Sequence, residues 1–205
     1  AARGPVLWVG NHTSWWDPLV IFYLSRAFFD LDGHAMMDAS NLRKLPFFSR
    51  IGAFGVDLDD PADGARALRY AARLLRAGPG RMVTVFPQGR ERPVTERPLA
   101  FRPGSAELAR LAPGASVLPF ALRYEMQGEE KPFAYVAFGA PLAPEREVAR
   151  ARAEQERAVG ALLDELERAL CGGDLAAYTP LFVSRSALGP LATEALAWAF
   201  RRRGG

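Results

Sequence analysis

Cysteine, lysine and histidine are scarce in this 205-residue chain. Cys171 is the only cysteine, which excludes a disulfide framework and a cysteine-rich zinc site and favours a reducing compartment. We interpret Cys171 as a packing residue near the end of a helix. Lysine occurs only at Lys44 and Lys131, so arginine carries nearly all the positive charge. No metal site is predicted.

Long apolar runs are also absent, because no stretch approaches the roughly 18 apolar residues of a membrane-spanning helix. The composition, 49% hydrophobic and 24% charged, is typical of a globular protein that buries a core without a metal or disulfide. The net charge is +3, and the basic residues are interspersed with acidic ones. That pattern argues against nucleic-acid binding. The oligomeric state is not predicted.

Short β-like segments alternate with helical patterns along the chain, which predicts an α/β fold with a mainly parallel sheet covered by helices. We predict a single domain over residues 1–205, with a motif-bearing core over about 1–145 and a helical part over about 146–205. The predicted strands are PVLWVG, HAMMD, FGVDL, RMVTVF, SVLPFALRY and FAYVAFG. The predicted helices are DPLVIFYLSRAFF, SNLRKLPFFSRIG (broken at Pro46), PADGARALRYAARLLRAG, GSAELARLA, residues 145–170 and LATEALAWAF.

The segment NHTSWWDP, residues 11–18, follows the first predicted strand. Asp17 precedes a proline, so it is predicted to cap the next helix. The turn before that helix can bring the Asp17 carboxylate to one ring nitrogen of His12 while the other nitrogen faces a cleft. A carboxylate in this position fixes the tautomer of the histidine ring and stabilises the imidazolium that forms when the ring takes up a proton. His12 and Asp17 are therefore predicted to act as a general base and its orienting partner.

The segment FPQGRERP, residues 86–93, follows the clearest predicted strand. Backbone amides around Gly89, together with Arg90 and Arg92, could hold an anion or an oxyanion. The alternative is a solvated loop. Both this segment and NHTSWWDP lie where ligands collect in open α/β sheets, beyond the carboxyl ends of strands.

Several aromatic residues leave two interpretations open. Trp15 and Trp16 either line an acyl channel or pack beside the sheet. In RKLPFFSR, residues 43–50, the phenylalanines and cations either contact a membrane interface or divide into core and solvated residues. At the end of the chain, AWAFRRR is either an interfacial anchor or a solvated tail. His34 is interpreted as a surface or turn residue without a catalytic role.

Four segments in order resemble the motif blocks of the glycerolipid acyltransferases, the superfamily that contains 1-acylglycerol-3-phosphate acyltransferase. NHTSWWD is similar to the N-H-x-x-x-x-D signature, and LRKLPFFSRIGAFGVD is similar to the second block. FPQGRERP resembles the F-P-E-G-T-R block, and FRPGSAELA followed by VLPFAL resembles the fourth. The resemblance covers roughly the first 125 residues.

The resemblance implies transfer of an acyl group from a thioester, acyl-CoA or acyl-carrier protein, to a lipid hydroxyl. His12 would be the general base and Asp17 its partner, and the substrate site would comprise Phe86, Pro87, Gln88, Gly89, Arg90 and Arg92. The thioester is a co-substrate, and no other cofactor is expected. Membrane lipids are the expected partners, with the protein peripheral on the cytoplasmic face.

Departures from the motif bear on the acceptor, which the resemblance implies to be lysophosphatidate or a related lysolipid. Leu58 stands where the second block ends in arginine, Gln88 replaces a glutamate, and Arg90-Glu91 replaces threonine-arginine. Arg92 could supply the displaced guanidinium. Two alternatives remain open: an acyltransferase for a neutral acceptor such as a glycolipid, and a non-catalytic lipid- or acyl-carrier-binding protein on the same fold.

Overall fold

The computed structural model describes residues 4–127 and 131–181, which form six strands and six helices. The strands are β1 (Val6–Gly10), β2 (Asp32–Asp38), β3 (Ala53–Val56), β4 (Arg81–Val85), β5 (Ser116–Glu125) and β6 (Phe133–Phe138). The helices are α1 (Asp17–Ala27), α2 (Ala39–Lys44), α3 (Phe47–Arg50), α4 (Pro61–Arg76), α5 (Gly104–Leu111) and α6 (Val148–Gly172). The helix predicted over LATEALAWAF and the basic tail after it lie outside the described residues.

The strands form one sheet in the order β3-β2-β4-β1-β5-β6. All neighbouring pairs are parallel except β5 and β6, which are antiparallel. Strands β1 and β4 lie side by side in the interior, with Val9 opposite Val85, so their carboxyl ends meet at one edge. The predicted α/β fold with a mainly parallel sheet is confirmed.

Strand order decides which face of the sheet each helix covers. The connections from β1 to β2 and from β2 to β3 run in one direction along the sheet, and those from β3 to β4 and from β4 to β5 run back. Because parallel crossovers are right-handed, the two directions place their helices on opposite faces. We call α1, α2 and α3 the first layer, and α4, α5 and α6 the second layer.

The core is divided between these two faces. On the second-layer face, alternate residues of β1 such as Leu7 and Val9 pack with Leu75 of α4, Leu108 of α5 and Leu163 of α6. On the first-layer face, Trp8 packs with Ile21 of α1 and with Met82, Phe120 and Leu122 of neighbouring strands. The alternation along β1 follows from the two-residue period of a strand.

Three residue interpretations from the sequence are wrong. Asp17 is the first residue of α1 rather than its cap, since the cap position is Trp16 and no side chain caps the helix. His34 lies within β2 and is partly buried, because the strand begins earlier than predicted. Cys171 is exposed, since it occupies the outer side of the last turn of α6.

The aromatic residues of the first layer differ from one another in burial. Phe48 is buried, but Phe47, Trp15 and Trp16 are exposed. Of the two alternatives left open for the phenylalanines, the one in which both are core residues is therefore wrong, and neither tryptophan is buried. Phe47 and Phe48 are neighbours in the same local sequence, so their difference in burial was decided by which side of the short helix α3 faces the protein interior. Within the described residues, no helix is long and apolar enough to span a bilayer.

Candidate active site

The site is built where the carboxyl ends of β1 and β4 meet. Asn11 follows β1, and its side chain is buried and extends the pairing with β5: Nδ2 donates to the carbonyl of Leu122 (2.9 Å), and the Leu122 amide donates to Oδ1 (2.8 Å). Gly10 allows the ring of Phe120 to lie against β1, because a Cβ there would be 2.3 Å from the ring. These contacts fix the backbone from which His12 leaves the sheet.

His12 and Asp17 make the contact that their spacing predicts. Nδ1 of His12 lies 2.8 Å from Oδ2 of Asp17, and the same oxygen accepts the backbone amides of Thr13 (2.7 Å) and Ser14 (3.0 Å). Asp17 is completely buried, whereas His12 is partly exposed. Since a carboxylate only accepts hydrogen bonds, Nδ1 carries the proton and Nε2 is left as the acceptor. Nε2 has no hydrogen-bond partner among the described residues.

Tyr124 completes the environment of Asp17. Its hydroxyl donates to Oδ1 of Asp17 (2.8 Å) from the far end of β5, 107 residues along the chain. Burial, the charge of the Asp17 carboxylate and this hydrogen bond all raise the pKa of Tyr124 well above the ordinary value for tyrosine. The phenol therefore stays protonated and keeps donating. Sequence reasoning missed Tyr124, since no spacing relates it to the motif.

The loop after β4 is tied to the backbone of His12 from both sides. Oε1 of Gln88 accepts the His12 amide (2.6 Å), and the amide of Arg92 donates to the His12 carbonyl (2.9 Å). The ring of Phe86 stacks on the imidazole, with centroids 4.7 Å apart. The structure thus brings both predicted segments together at one edge of the sheet.

Gln88 explains one departure from the acyltransferase motif. Its buried side chain contributes an acceptor oxygen to the His12 amide. A glutamate and a glutamine both supply such an oxygen. The contact that links the two segments is therefore available to either residue.

One backbone amide of the predicted anion site, that of Gly89, is already hydrogen-bonded within the turn. The Gly89 amide donates to the Phe86 carbonyl (3.0 Å), and Arg102 donates its amide to the carbonyl of Pro87, which is buried (2.8 Å). Gly89 has φ +71°, a left-handed conformation that favours glycine. In the described part of the chain, the amide of Arg90 donates no hydrogen bond, so it is an available donor beside this turn.

The two arginines of this loop differ in availability. Arg90 is exposed and forms no ion pair with a described residue. Arg92 is largely buried, and its Nη1 lies 2.8 Å from Oε1 of Glu96. Its Nε is buried and without a hydrogen-bond partner among the described residues. Sequence reasoning missed Glu96, which lies four residues from Arg92 in an irregular loop.

Comparison with known proteins agrees with this geometry. Residues 1–123, more than half of the chain, match the family model described as Acyltransferase. The match includes the loops that carry His12, Asp17 and residues 86–92. No curated protein and no solved structure matches the chain significantly. On the family match and the α/β fold, the chain is a member of the Acyltransferase family.

Proposed function

We propose that the protein transfers a fatty acyl group from a thioester, acyl-CoA or acyl-carrier protein, to the hydroxyl of lysophosphatidate or a related lysolipid. The observation that carries the proposal is the His12–Asp17 pair, in which a buried carboxylate holds Nδ1 and leaves Nε2 as an acceptor. The acceptor would come from the cytoplasmic face of a membrane, where the protein would be peripheral. The single free cysteine agrees with a reducing compartment.

The proposed reaction is a direct transfer. Nε2 of His12 takes the proton of the acceptor hydroxyl as its oxygen attacks the thioester carbonyl carbon. The C–O bond forms and the carbonyl oxygen becomes an oxyanion, for which the Arg90 amide is the candidate donor. Collapse breaks the C–S bond, and the imidazolium returns its proton to the leaving thiolate. Asp17 stabilises the imidazolium between these steps. No cofactor besides the thioester is required.

The cations near His12 bear on the acceptor. A phosphate monoester is favoured by converging arginines, and Arg90 and Arg92 are the candidates. Glu96 already neutralises Arg92, however, and Leu58 replaces an arginine of the motif. These two observations favour a second candidate, an acceptor without a free phosphate monoester, such as a glycolipid or a lysophospholipid whose phosphate is masked.

The catalytic part of the proposal is tested by release of free thiol from the donor in the presence of mixed lysolipid acceptors. His12→Ala should lower the rate by about 10²–10⁴, the usual contribution of a general base. His34→Gln is the matched control, because it changes the only other histidine, on β2. If the parent protein released no thiol above background while binding the donor, the non-catalytic alternative would replace this proposal.

The acceptor is tested by a panel with one acyl donor, comparing lysophosphatidate with lysophospholipids that carry a masked phosphate and with a glycolipid. If phosphate binds at Arg92, Arg92→Ala should remove the preference for lysophosphatidate, and Glu96→Gln should increase it by freeing the guanidinium. Equal rates for all acceptors, unchanged in both variants, would identify the second candidate. Arg90→Ala serves as the comparison for a cation without an acidic partner.

A further inference from the structure

The first layer contains no acid over two long stretches. Residues 18–29 and 39–56, which include nearly all of α1 and the whole of α2 and α3, contain no aspartate or glutamate. They contain four cations, all exposed: Arg26, Arg43, Lys44 and Arg50. None of these lies within 4 Å of an acidic group of the described residues, although the hydrogen bond from the Ser40 hydroxyl and, more weakly, the charge of Arg43 lower the pKa of Asp38.

The second layer has a different pattern. Its helices carry both signs of charge, and several of their arginines form ion pairs within one helix turn, as in Arg66–Asp63, Arg110–Glu107 and Arg157–Glu154. Arg69 and Arg73 of α4 are exposed and form no ion pair with a described residue, but Tyr70 is the one exposed large hydrophobic residue of that helix. Exposed cations without an ion pair therefore occur on both layers, and on the first layer they lie beside a cluster of exposed aromatic residues.

Exposed aromatic side chains are concentrated on the same layer. Among the described residues, 11 large hydrophobic side chains are exposed, and seven of them lie between residues 15 and 51: Trp15, Trp16, Tyr23, Phe28, Phe29, Phe47 and Ile51. Trp15 contacts both Trp16 (ring centroids 5.3 Å apart) and the buried Phe48 (6.1 Å), and the tilted rings of Phe47 and Phe48 lie 4.2 Å apart. The aromatic row thus runs from the loop of His12 to α3.

We infer that this surface, the exposed aromatic side chains and the four cations of the first layer, docks the protein on a bilayer containing anionic lipid. Tryptophan and tyrosine favour the boundary between headgroups and acyl chains. Exposed cations without acidic neighbours are attracted to anionic headgroups. Trp15 lies three residues from His12, so docking would place the edge of the sheet that carries His12 at the bilayer surface. The inference rests on the proposed lipid acceptor, and it names the surface that reaches it.

The test is sedimentation of the full chain with lipid vesicles, without any acyl donor, so that its result does not depend on catalysis. Lys44→Gln with Arg50→Gln should weaken binding to vesicles of mixed zwitterionic and anionic lipid by about 30-fold, at about fivefold for each cation. The matched control is Arg69→Gln with Arg73→Gln on α4, two exposed arginines of the second layer, which should leave binding unchanged.

A second variant separates the aromatic contribution. Trp16→Ala should weaken binding to zwitterionic and anionic vesicles alike, because it removes an apolar contact rather than a charge. Its fold is checked by circular dichroism. The Lys44/Arg50 variant, which changes no residue of the active site, should turn over a short-chain, monomeric acceptor at a rate near that of the parent, since such a substrate needs no docking. That readout distinguishes failed docking from a failed proposal of acyl transfer.

Three results would overturn the inference. The first is that the parent chain fails to bind the anionic vesicles. The second is that both the Lys44/Arg50 and Trp16 variants bind as well as the parent, which would assign binding to another segment such as residues 198–203. The third is a change in oligomeric state in the Trp16 variant, which would make a second copy the occupant of the surface.

Discussion

Replacing Tyr124 by phenylalanine tests how the buried Asp17 carboxylate is held. The change removes one hydroxyl and keeps the ring. Oδ1 of Asp17 accepts only the Tyr124 hydroxyl among the described residues, whereas Oδ2 accepts three donors. Because Asp17 is completely buried, water cannot readily replace the lost donor.

The expected loss of stability follows from this geometry. A hydrogen bond to a charged group contributes about 1.5–3 kcal/mol, so the free energy of unfolding should fall by about that amount. For a chain of this size, about 2–4 °C in melting temperature accompanies each kcal/mol, which gives a decrease of about 3–12 °C. A less firmly held Asp17 also orients His12 less well, so turnover should fall by up to about 10²-fold, less than for His12→Ala.

Two assays measure these effects: thermal unfolding followed by circular dichroism, and thiol release with a saturating donor. Tyr135→Phe is the matched control, because Tyr135 lies on the edge strand β6 and its hydroxyl donates to Gln127 in an exposed position. Its effect should stay within about 0.5 kcal/mol. If Tyr124→Phe unfolded at the parent temperature and turned over at the parent rate, the hydroxyl would not be positioning Asp17.

Three further predictions use the same two assays. Asp17→Asn should keep the fold, since the amide can place its oxygen toward His12 and its NH₂ toward Tyr124. Turnover should fall by about 10²–10⁴, because the charge that stabilises an imidazolium is lost. Parent-like turnover would exclude that role of Asp17. Gly89→Ala should destabilise by about 1–2 kcal/mol because φ is +71° there, and an unchanged melting temperature would show that the turn adapts. Above about pH 10 the tyrosine ionises in the unfolded chain, while the raised pKa keeps Tyr124 neutral in the folded protein. The free energy of unfolding should therefore fall as pH rises, and it should fall less steeply in Tyr124→Phe. Equal slopes of the free energy of unfolding against pH from about pH 9 to 11 would contradict this.

The order of strands and helices was predictable from sequence because each is a local pattern. Helix α4 begins after Asp60, whose side chain accepts the Ala62 amide, and it buries Ala71 and Leu75 on one face, as the spacing of apolar residues predicts. After Arg81, strand β4 is an uninterrupted apolar and β-branched run, typical of a buried parallel strand. The antiparallel direction of β6 could also be predicted, because the seven residues between β5 and β6 are too few for the crossover that a parallel pair needs.

The contact between His12 and Asp17 was also predictable, because five residues and a helix start are enough to bring the two side chains together. The predicted capping role of Asp17 was wrong, because its carboxylate binds amides of the loop before the helix rather than amides of the first helical turn. Its Oδ2 accepts the amides of Thr13 and Ser14, which precede the helix, and so closes the motif loop on itself. Residue type predicted an acceptor at this point but not which donors would reach it.

Sequence alone determined the type of each element that the structure describes and the local pairing of His12 with Asp17. Tertiary structure alone decided that Tyr124 would bind Asp17, that Gln88 would bind the His12 amide, and that the first layer would collect the exposed aromatic residues. Backbone conformation depends on neighbours within a few residues, whose spacing is readable in the chain. Contacts between residues 76 or 107 positions apart depend on strand order and register, which arise only when the whole sheet is assembled.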